Sequence, residues 1–481
     1  MQLRFISKIC VPILAMVFTV TSCSEDLLDD INRNPNDPLD APTQFAISDA
    51  IVSSAFNVVG SDLAFYASTY VEHNVGIYGQ MYNAEKRIAE PISATTYNNG
   101  WNSAYTNLRA LKEVIKKTSE GGKEAGNFRT LGVAQLLTAY NLSILTDLFG
   151  DVPWTESGQP GVIFQPKIDK QEAIYQDIFK LLDQAIVNLD KTSTFPLLGG
   201  QDLLYGGKTG QYNLWKKFAY GLRARYKLRL SLKTSQYQSV IDDVNKSFAS
   251  ESEEAKLEYD GSAASNPFAV FANDRDYFGA SQSLHDKLVA RNDPRDAAFF
   301  TKYPGTPTLE FAPNGDPEEE QERYGISALT SVTNPTYLLS YHEVQFIKAE
   351  AYARLSNFPA AETALKEGIR AAFSKVGLTP TQATTYFAAS VQPLFVVNPL
   401  KEIASQKYIS MFEDEAIEAY NDYRRWKAMG NAFIDLENEK APPLRYTYGS
   451  SDVTTNNAIS AAYGNGQYVY SENVWWAGGT R

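Results

Sequence analysis

The sequence predicts a mainly α protein built from helix pairs, with long irregular loops and minor β-hairpins between them. Three observations carry this reading. Apolar residues recur at helical spacing in several long segments, as in Trp101, Tyr105, Leu108, Leu111 and Ile115. Two such segments late in the chain are separated only by a short turn and can meet through alanines. Between the helical parts lie stretches rich in Tyr, Asn, Gly, Asp and Pro that hold no such stripe.

The chain begins differently. Arg4 and Lys8 precede an apolar run that ends at Val20-Thr21-Ser22-Cys23. A basic start, a short apolar stretch and small residues at the cut make a secretory signal. The run falls short of the roughly 20 residues that a bilayer-spanning helix needs, and no second apolar run is expected to approach that length, so no other span is expected. The small pair followed by Cys23 resembles the bacterial lipobox, in which the cysteine takes a diacylglycerol and becomes the mature N-terminus. The alternatives are an ordinary signal peptide with a chance cysteine, or a free core thiol. Each buried CH₂ of an acyl chain adds about 0.8 kcal/mol of membrane affinity. The expected organisation is a signal peptide over 1–22, a lipid-anchored flexible tether over 23–42, and one helical ligand-binding domain over 43–481. Asn34-Pro35-Asn36-Asp37-Pro38 keeps the tether from propagating a helix.

Helical stripes follow in order. Residues 128–149 carry Leu136, Tyr140, Leu145 and Leu148. Asp169 with Glu172 reads as a capping box opening a helix striped by Ile174, Ile178, Leu182, Ile186 and Leu189. Gly206-Gly207-Lys208-Thr209 reads as a turn into a helix through Leu214, Phe218 and Leu222. The other face of that helix, with Lys216, Lys217, Arg223 and Lys227, is expected to be solvated. Residues 343–354 bring Phe346, Ala349 and Ala353 to one side, and 360–373 return with Ala364, Leu365, Ile369 and Ala372. This pair looks like a tetratricopeptide unit, although no strict repeat recurs. Residues 60–100, 255–335 and the C-terminus from Pro442 break the rhythm and are expected to form the non-core face.

Composition narrows the chemistry. A formal net charge of −12 is a poor match for nucleic acid, whose phosphates attract Lys and Arg. The cysteines are Cys10 and Cys23 alone, so a mature chain acylated at Cys23 has no free thiol nucleophile. His73, His285 and His342 lie far apart, without a second His or Cys at zinc-ligand spacing. The acidic runs at 316–322 and 413–415 read as solvated loops, with a structural calcium as the alternative. No catalytic residue, metal or cofactor is expected. What stands out is 29 Tyr, 25 Phe and 6 Trp, interleaved with amides in the irregular segments. Sugars offer flat C–H faces and a rim of hydroxyls, which call for exposed rings and for Asn or Asp. The candidate ligand-binding residues are Tyr78, Tyr82, Tyr97 and Asn98 in the first segment, and Asn273, Asp274, Tyr277 and Phe278 in the second. For each ring taken singly, packing is the competing reading.

Several stretches, in order along the chain, together resemble the SusD/RagB family of nutrient-binding outer-membrane lipoproteins of Bacteroidetes. They are the lipobox at Cys23, Asp30-Ile31-Asn32-Arg33-Asn34-Pro35-Asn36, and Trp101-Asn102-Ser103-Ala104-Tyr105. Asp147-Leu148-Phe149-Gly150-Asp151-Val152-Pro153-Trp154-Thr155-Glu156 is the most specific of them. Tyr205-Gly206-Gly207, Leu214-Trp215-Lys216-Lys217-Phe218-Ala219 and Asp293-Pro294-Arg295 follow. The series closes with Glu343-Val344-Gln345-Phe346-Ile347-Lys348-Ala349-Glu350, Gln406-Lys407-Tyr408, Asp422-Tyr423-Arg424-Arg425-Trp426 and Trp475-Trp476. The acidic Ser24-Glu25-Asp26 is also similar to the export tag of surface lipoproteins in that phylum. The resemblance implies a SusD-like α-α superhelix, cell-surface exposure on the outer membrane, and a SusC-like TonB-dependent transporter as partner. It implies capture of an oligosaccharide or other glycan without reaction; the alternative is a peptide-binding lid of a RagA-like importer. A surface glycosidase is a rival from another class, and it would need two carboxylates about 5–10 Å apart. Ligand contacts vary within the family, so the eight candidates above rest on chemistry alone.

Overall fold

Apolar stripes become helices wherever the sequence repeats them. The computed structural model describes residues 41–481. The signal, Cys23, the 30–36 motif and nearly all of the 23–42 tether lie outside the described residues. In chain order the principal helices are α1 Thr43–Val52, α2 Asp62–Tyr70, α3 Gly79–Glu85, α4 Asn98–Thr118, α5 Phe128–Phe149, α6 Gln171–Asp190 and α7 Gln211–Arg229. There follow α8 Tyr237–Val244, α9 Pro267–Arg275, α10 Gln282–Val289, α11 Tyr341–Arg354, α12 Phe358–Lys375, α13 Pro399–Ser410 and α14 Ala416–Ala428. Three antiparallel strand pairs accompany them: β1 Asn74–Gly76 with β3 Phe278–Ala280, β2 Ala255–Leu257 with β6 Thr336–Leu339, and β4 Phe300–Thr301 with β5 Ile326–Ser327. β4 and β5 are consecutive strands and form a hairpin with a long loop, whereas β1–β3 and β2–β6 join strands farther apart in the chain.

Helix α5 is the axis of the core: every residue from 130 to 149 is buried. Its stripe therefore runs all round, as in a helix with neighbours on every side. It stops at Gly150, which has φ +81°. A Cβ there would lie 2.4 Å from the Arg445 guanidinium, which donates to the Phe149 carbonyl. Helices α11 and α12 form the antiparallel pair read from the sequence, with Phe346, Ala349, Ala353, Ala364, Leu365 and Ile369 in one buried cluster. The turn between them is closed by Asn357, whose side chain accepts from the Ala360 N–H.

Buried charges tie the helices together. Arg225 pairs with Glu343, Arg229 with Glu418, Lys407 with Asp422, and Arg425 with Glu350, all with less than a tenth of the side chain exposed. Several of these residues belong to the motif stretches above, which explains why those motifs are structural. A charge inside a protein is tolerated only when paired and hydrogen-bonded.

The structure corrects several expectations. Asp169 does not cap the helix that follows it. Its carboxylate accepts instead from the Trp154 and Thr155 N–H groups at 2.9 and 2.8 Å, while Asp151 accepts from Gln171 N at 2.8 Å at the start of α6. Lys216, Lys217, Arg223 and Lys227 are not a free solvated face; they pair with Asp190, Glu253, Asp183 and Asp243. The run 413–415 is no solvated loop. All three side chains are essentially buried, Asp414 against Lys375 at 2.9 Å and Glu415 against His342 at 2.6 Å. In 316–322, Asp316 pairs with Lys86, and Glu318 and Glu320 pair with Arg323. Residues 60–100 contain α2 and α3, and the C-terminal stretch buries Tyr446, Tyr448, Val474 and Trp476 completely, so neither is wholly non-core. Thr43–Tyr70 is long and apolar enough to match a membrane span, yet 67% of its most apolar window is buried inside the protein, which accounts for its composition.

Candidate ligand-binding face

The two sequence segments that supply the candidates converge through β1 and β3. Val75 stands opposite Gly279 and Gly76 opposite Phe278, and Ile77 N donates to Tyr277 O at 2.9 Å. This ladder sets Tyr78 beside Tyr277, with ring centroids 5.6 Å apart and planes at 44°. Tyr78 is 38% exposed and Tyr277 half-buried, so the pair forms a ring surface open to solvent. Gly79 makes the approach possible: with φ +53° it starts α3, and a Cβ would lie 3.0 Å from the Tyr277 ring. Tyr82, one turn on, is half-buried, with Lys86 Nζ 6.0 Å from its ring centre. The helix is held from below by Glu85, whose carboxylate accepts from Gly315 N at 2.6 Å and Asn438 Nδ2 at 3.2 Å.

Beside this pair lies a cavity of about 230 Å³. Successive residues of an extended strand point to opposite sides, so Phe278 faces the cavity while Tyr277 faces Tyr78. Asn273 and Asp274 are exposed at the end of α9, and Asn273 lines the cavity. Phe268, stacked on Phe278 at 5.2 Å and 12°, forms an apolar wall. The polar lining comes from Asn74, Asp276, Tyr303, Ser327 and Thr330. Asp276 has φ +49°, a left-handed turn that reverses the chain between α9 and β3. Burial pushes its carboxyl upward, opposed by the Glu322 N–H, which donates to it at 2.7 Å. Beneath the cavity sits Glu413, accepting from Thr330 Oγ1 at 2.7 Å and Asn74 Nδ2 at 3.5 Å. Burial pushes this carboxyl up to about 7, against the pull of Thr330, Asn74 and Ser327.

Of the eight candidates, Tyr78, Tyr82 and Tyr277 lie on the ring surface, Asn273 lines the cavity on the other side of β3, and Asp274 is exposed at the end of α9. Phe278 lines the cavity only as a buried core ring, 6% exposed and packed on Phe268, so it offers a ligand no open face. Tyr97 and Asn98 do not join them. Tyr97 is fully buried, stacked on Tyr446 at 3.9 Å and bonded through its hydroxyl to Tyr70 at 2.5 Å, so it is a core ring out of a ligand's reach. Tyr66 and Tyr70 are core residues for the same reason. Asn98, at the start of α4, accepts from Ser451 N at 3.0 Å and holds the C-terminal segment. Sequence reading missed Asp276, Tyr303, Ser327, Thr330, Asn74 and Glu413. Asp276 and Tyr303 sit in the irregular 255–335 stretch that was singled out; Glu413 carried no local sign of its burial.

The comparisons agree with this architecture. A family model named SusD-like_2 and described as "Starch-binding associating with outer membrane" matches residues 35–449. A crystal structure of a SusD/RagB family protein from Bacteroides thetaiotaomicron is 41% identical with a TM-score of 0.86, covering 92% of this chain and 100% of that one. A chitin-binding SusD homologue from Flavobacterium johnsoniae shares the fold at 19% identity and TM-score 0.72, covering 90% and 98%. A structure described as a chitin-binding protein does so at 22% identity and TM-score 0.71, covering 90% and 99%. No curated protein matches the sequence.

Proposed function

This chain belongs to the SusD-like family, and we propose that it is a cell-surface lipoprotein that binds a nutrient glycan at the Tyr78–Tyr277 face and delivers it to a SusC-like TonB-dependent transporter. The observation that carries the reading is the ring pair itself. Two tyrosines some 200 residues apart in sequence are held open to solvent by one strand ladder, next to a cavity lined with amides, hydroxyls and a carboxylate. Rings accept the C–H faces of a sugar, and each hydroxyl bonded to the polar rim adds about 1 kcal/mol net. Family proteins are described as starch-binding, and two structural relatives as chitin-binding, which favours a carbohydrate over a peptide. The SusD-like family comprises binding proteins, and we assign this chain capture and hand-over without bond cleavage. Lipid at Cys23 would hold the domain over 43–481 on the outer membrane through the 23–42 tether.

A glycan panel with an assay for new reducing ends tests the proposal. The expected result is saturable binding of an oligosaccharide without turnover, weakened about fivefold or more by Tyr277→Ala through loss of roughly 1 kcal/mol of ring contact. Release of reducing ends would convert the reading to a glycosidase, and binding of peptides alone would convert it to a peptide importer's lid. In the native host, Cys23→Ala should leave the outer membrane for the soluble fraction.

A further inference from the structure

Resting on that reading of the face, we propose that the cavity beside the tyrosine pair is a subsite for a protonated amine carried by a sugar, so that the preferred ligand class is an amino sugar with a free amine. The argument is a count of protons. A hydroxyl has one proton and a carboxamide two. Thr330 spends its proton on Glu413, and Asn74 spends both, on Ser68 Oγ at 2.9 Å and on Glu413 at 3.5 Å. Each lines the cavity, and each has only oxygen lone pairs left to offer it. Asp276 adds a carboxylate that already accepts from Glu322 N and from the Tyr303 hydroxyl, and the Ser327 hydroxyl is bonded to Glu413, so these two lining hydroxyls have spent their protons as well. No Lys, Arg or His lines this cavity. Asn273 is the one amide there with unspent protons, and it stands at the exposed rim.

Such a surface asks its ligand for donors. An ammonium has three donors, no acceptor and a positive charge, and its bonds to a carboxylate are charge-assisted. An acetamido group brings a carbonyl that would face oxygens beside its single N–H, and a neutral hydroxyl brings one donor and no charge. Burial raises the Asp276 carboxyl, and a cation bound beside it would offset that cost. Phe268 and Phe278 supply the apolar wall that keeps water from screening the pair.

The test is calorimetry on the purified protein with three oligosaccharides of equal length: glucosamine, N-acetylglucosamine and glucose oligomers, in buffers spanning the slightly acidic to neutral range, so that Glu413, raised to about 7, is sampled in its charged form while part of the sugar amine is protonated. The glucosamine oligomer should bind about tenfold more tightly than the other two, with the preference shrinking as salt is raised. Asp276→Asn keeps a residue that tolerates the left-handed turn and removes the charge, and it should erase the preference while retaining the residual affinity. Thr330→Val should shift the preference in the same direction, with the thermal transition of both variants recorded beside it. Equal affinities, tighter binding of the acetylated oligomer, or a preference untouched by both variants would overturn the inference while leaving the carbohydrate reading in place. Failure to bind any oligosaccharide in a wider panel would remove both.

Discussion

Replacing Gly79 by Ala separates the ring pair from the rest of the fold. The perturbation has two parts. An L residue at φ +53° is strained by about 1–2 kcal/mol. The added Cβ also lies 3.0 Å from two carbons of the Tyr277 ring, closer than ordinary contact, so the ring must shift by a few tenths of an ångström. Gly430→Ala is the matched control: it has φ +77° and nothing within 4 Å of the added Cβ. Both variants should lose about 1–2 kcal/mol in urea denaturation. Only Gly79→Ala should weaken glycan binding, by about threefold to tenfold, the worth of one disturbed aromatic contact. Calorimetry at matched folded fraction reads the difference. Equal binding by Gly79→Ala and wild type, or equal loss in the control, would refute the claim that Tyr277 touches the ligand.

Other consequences follow from the core. Gly150→Ala places a Cβ 2.4 Å from the Arg445 guanidinium at a backbone conformation suited to glycine, and should cost about 3 kcal/mol or more, read as a lowered thermal midpoint. Arg425→Met leaves Glu350 and Asp422 short of a partner inside the protein, a loss of about 3–5 kcal/mol by chemical denaturation. His73 is fully buried, its Nε2 bonded to Tyr408 O at 3.0 Å, and burial pushes its pKa down to about 3. The unfolded chain therefore takes this proton first, so wild type should lose stability relative to His73→Gln as pH falls from about 6.5 toward 3, with no change in the difference above that range. Glu350 is buried, which alone would raise its carboxyl, but Arg425 holds it at about 2. Its contribution is complete above the ordinary glutamate range and is lost as pH falls through about 2. Glu350→Gln should therefore flatten the acid limb of a stability–pH profile.

Much of the helical body was legible because its signal is local. The 3.6-residue stripe gave α4, α5, α6 and the α11–α12 pair, and Gly150 marked the end of α5. What was illegible depends on contacts far apart in sequence. Asp169 with Glu172 fits a capping pattern, yet a competing set of backbone donors at Trp154 and Thr155 captures Asp169. The acidic run at 413–415 looks like a solvated loop until Lys375, His342 and Thr330 are folded against it. The candidate face was half legible for the same reason. Aromatic and amide clustering pointed to both segments, but the pairing of β1 with β3 decides that Tyr277 is open while Tyr97, in equally irregular sequence, stacks in the core on Tyr446. The cavity's own chemistry, with protons spent on Glu413, has no local sequence signature.

The most direct measurement is a crystal structure of the protein with the best-binding oligosaccharide from the panel. The account predicts an intact sugar chain with a pyranose face against the Tyr78 and Tyr277 rings and a substituent entering the cavity toward Asp276 and Thr330. A ligand seated elsewhere with these rings bare, or a cleaved chain in the site, would contradict it.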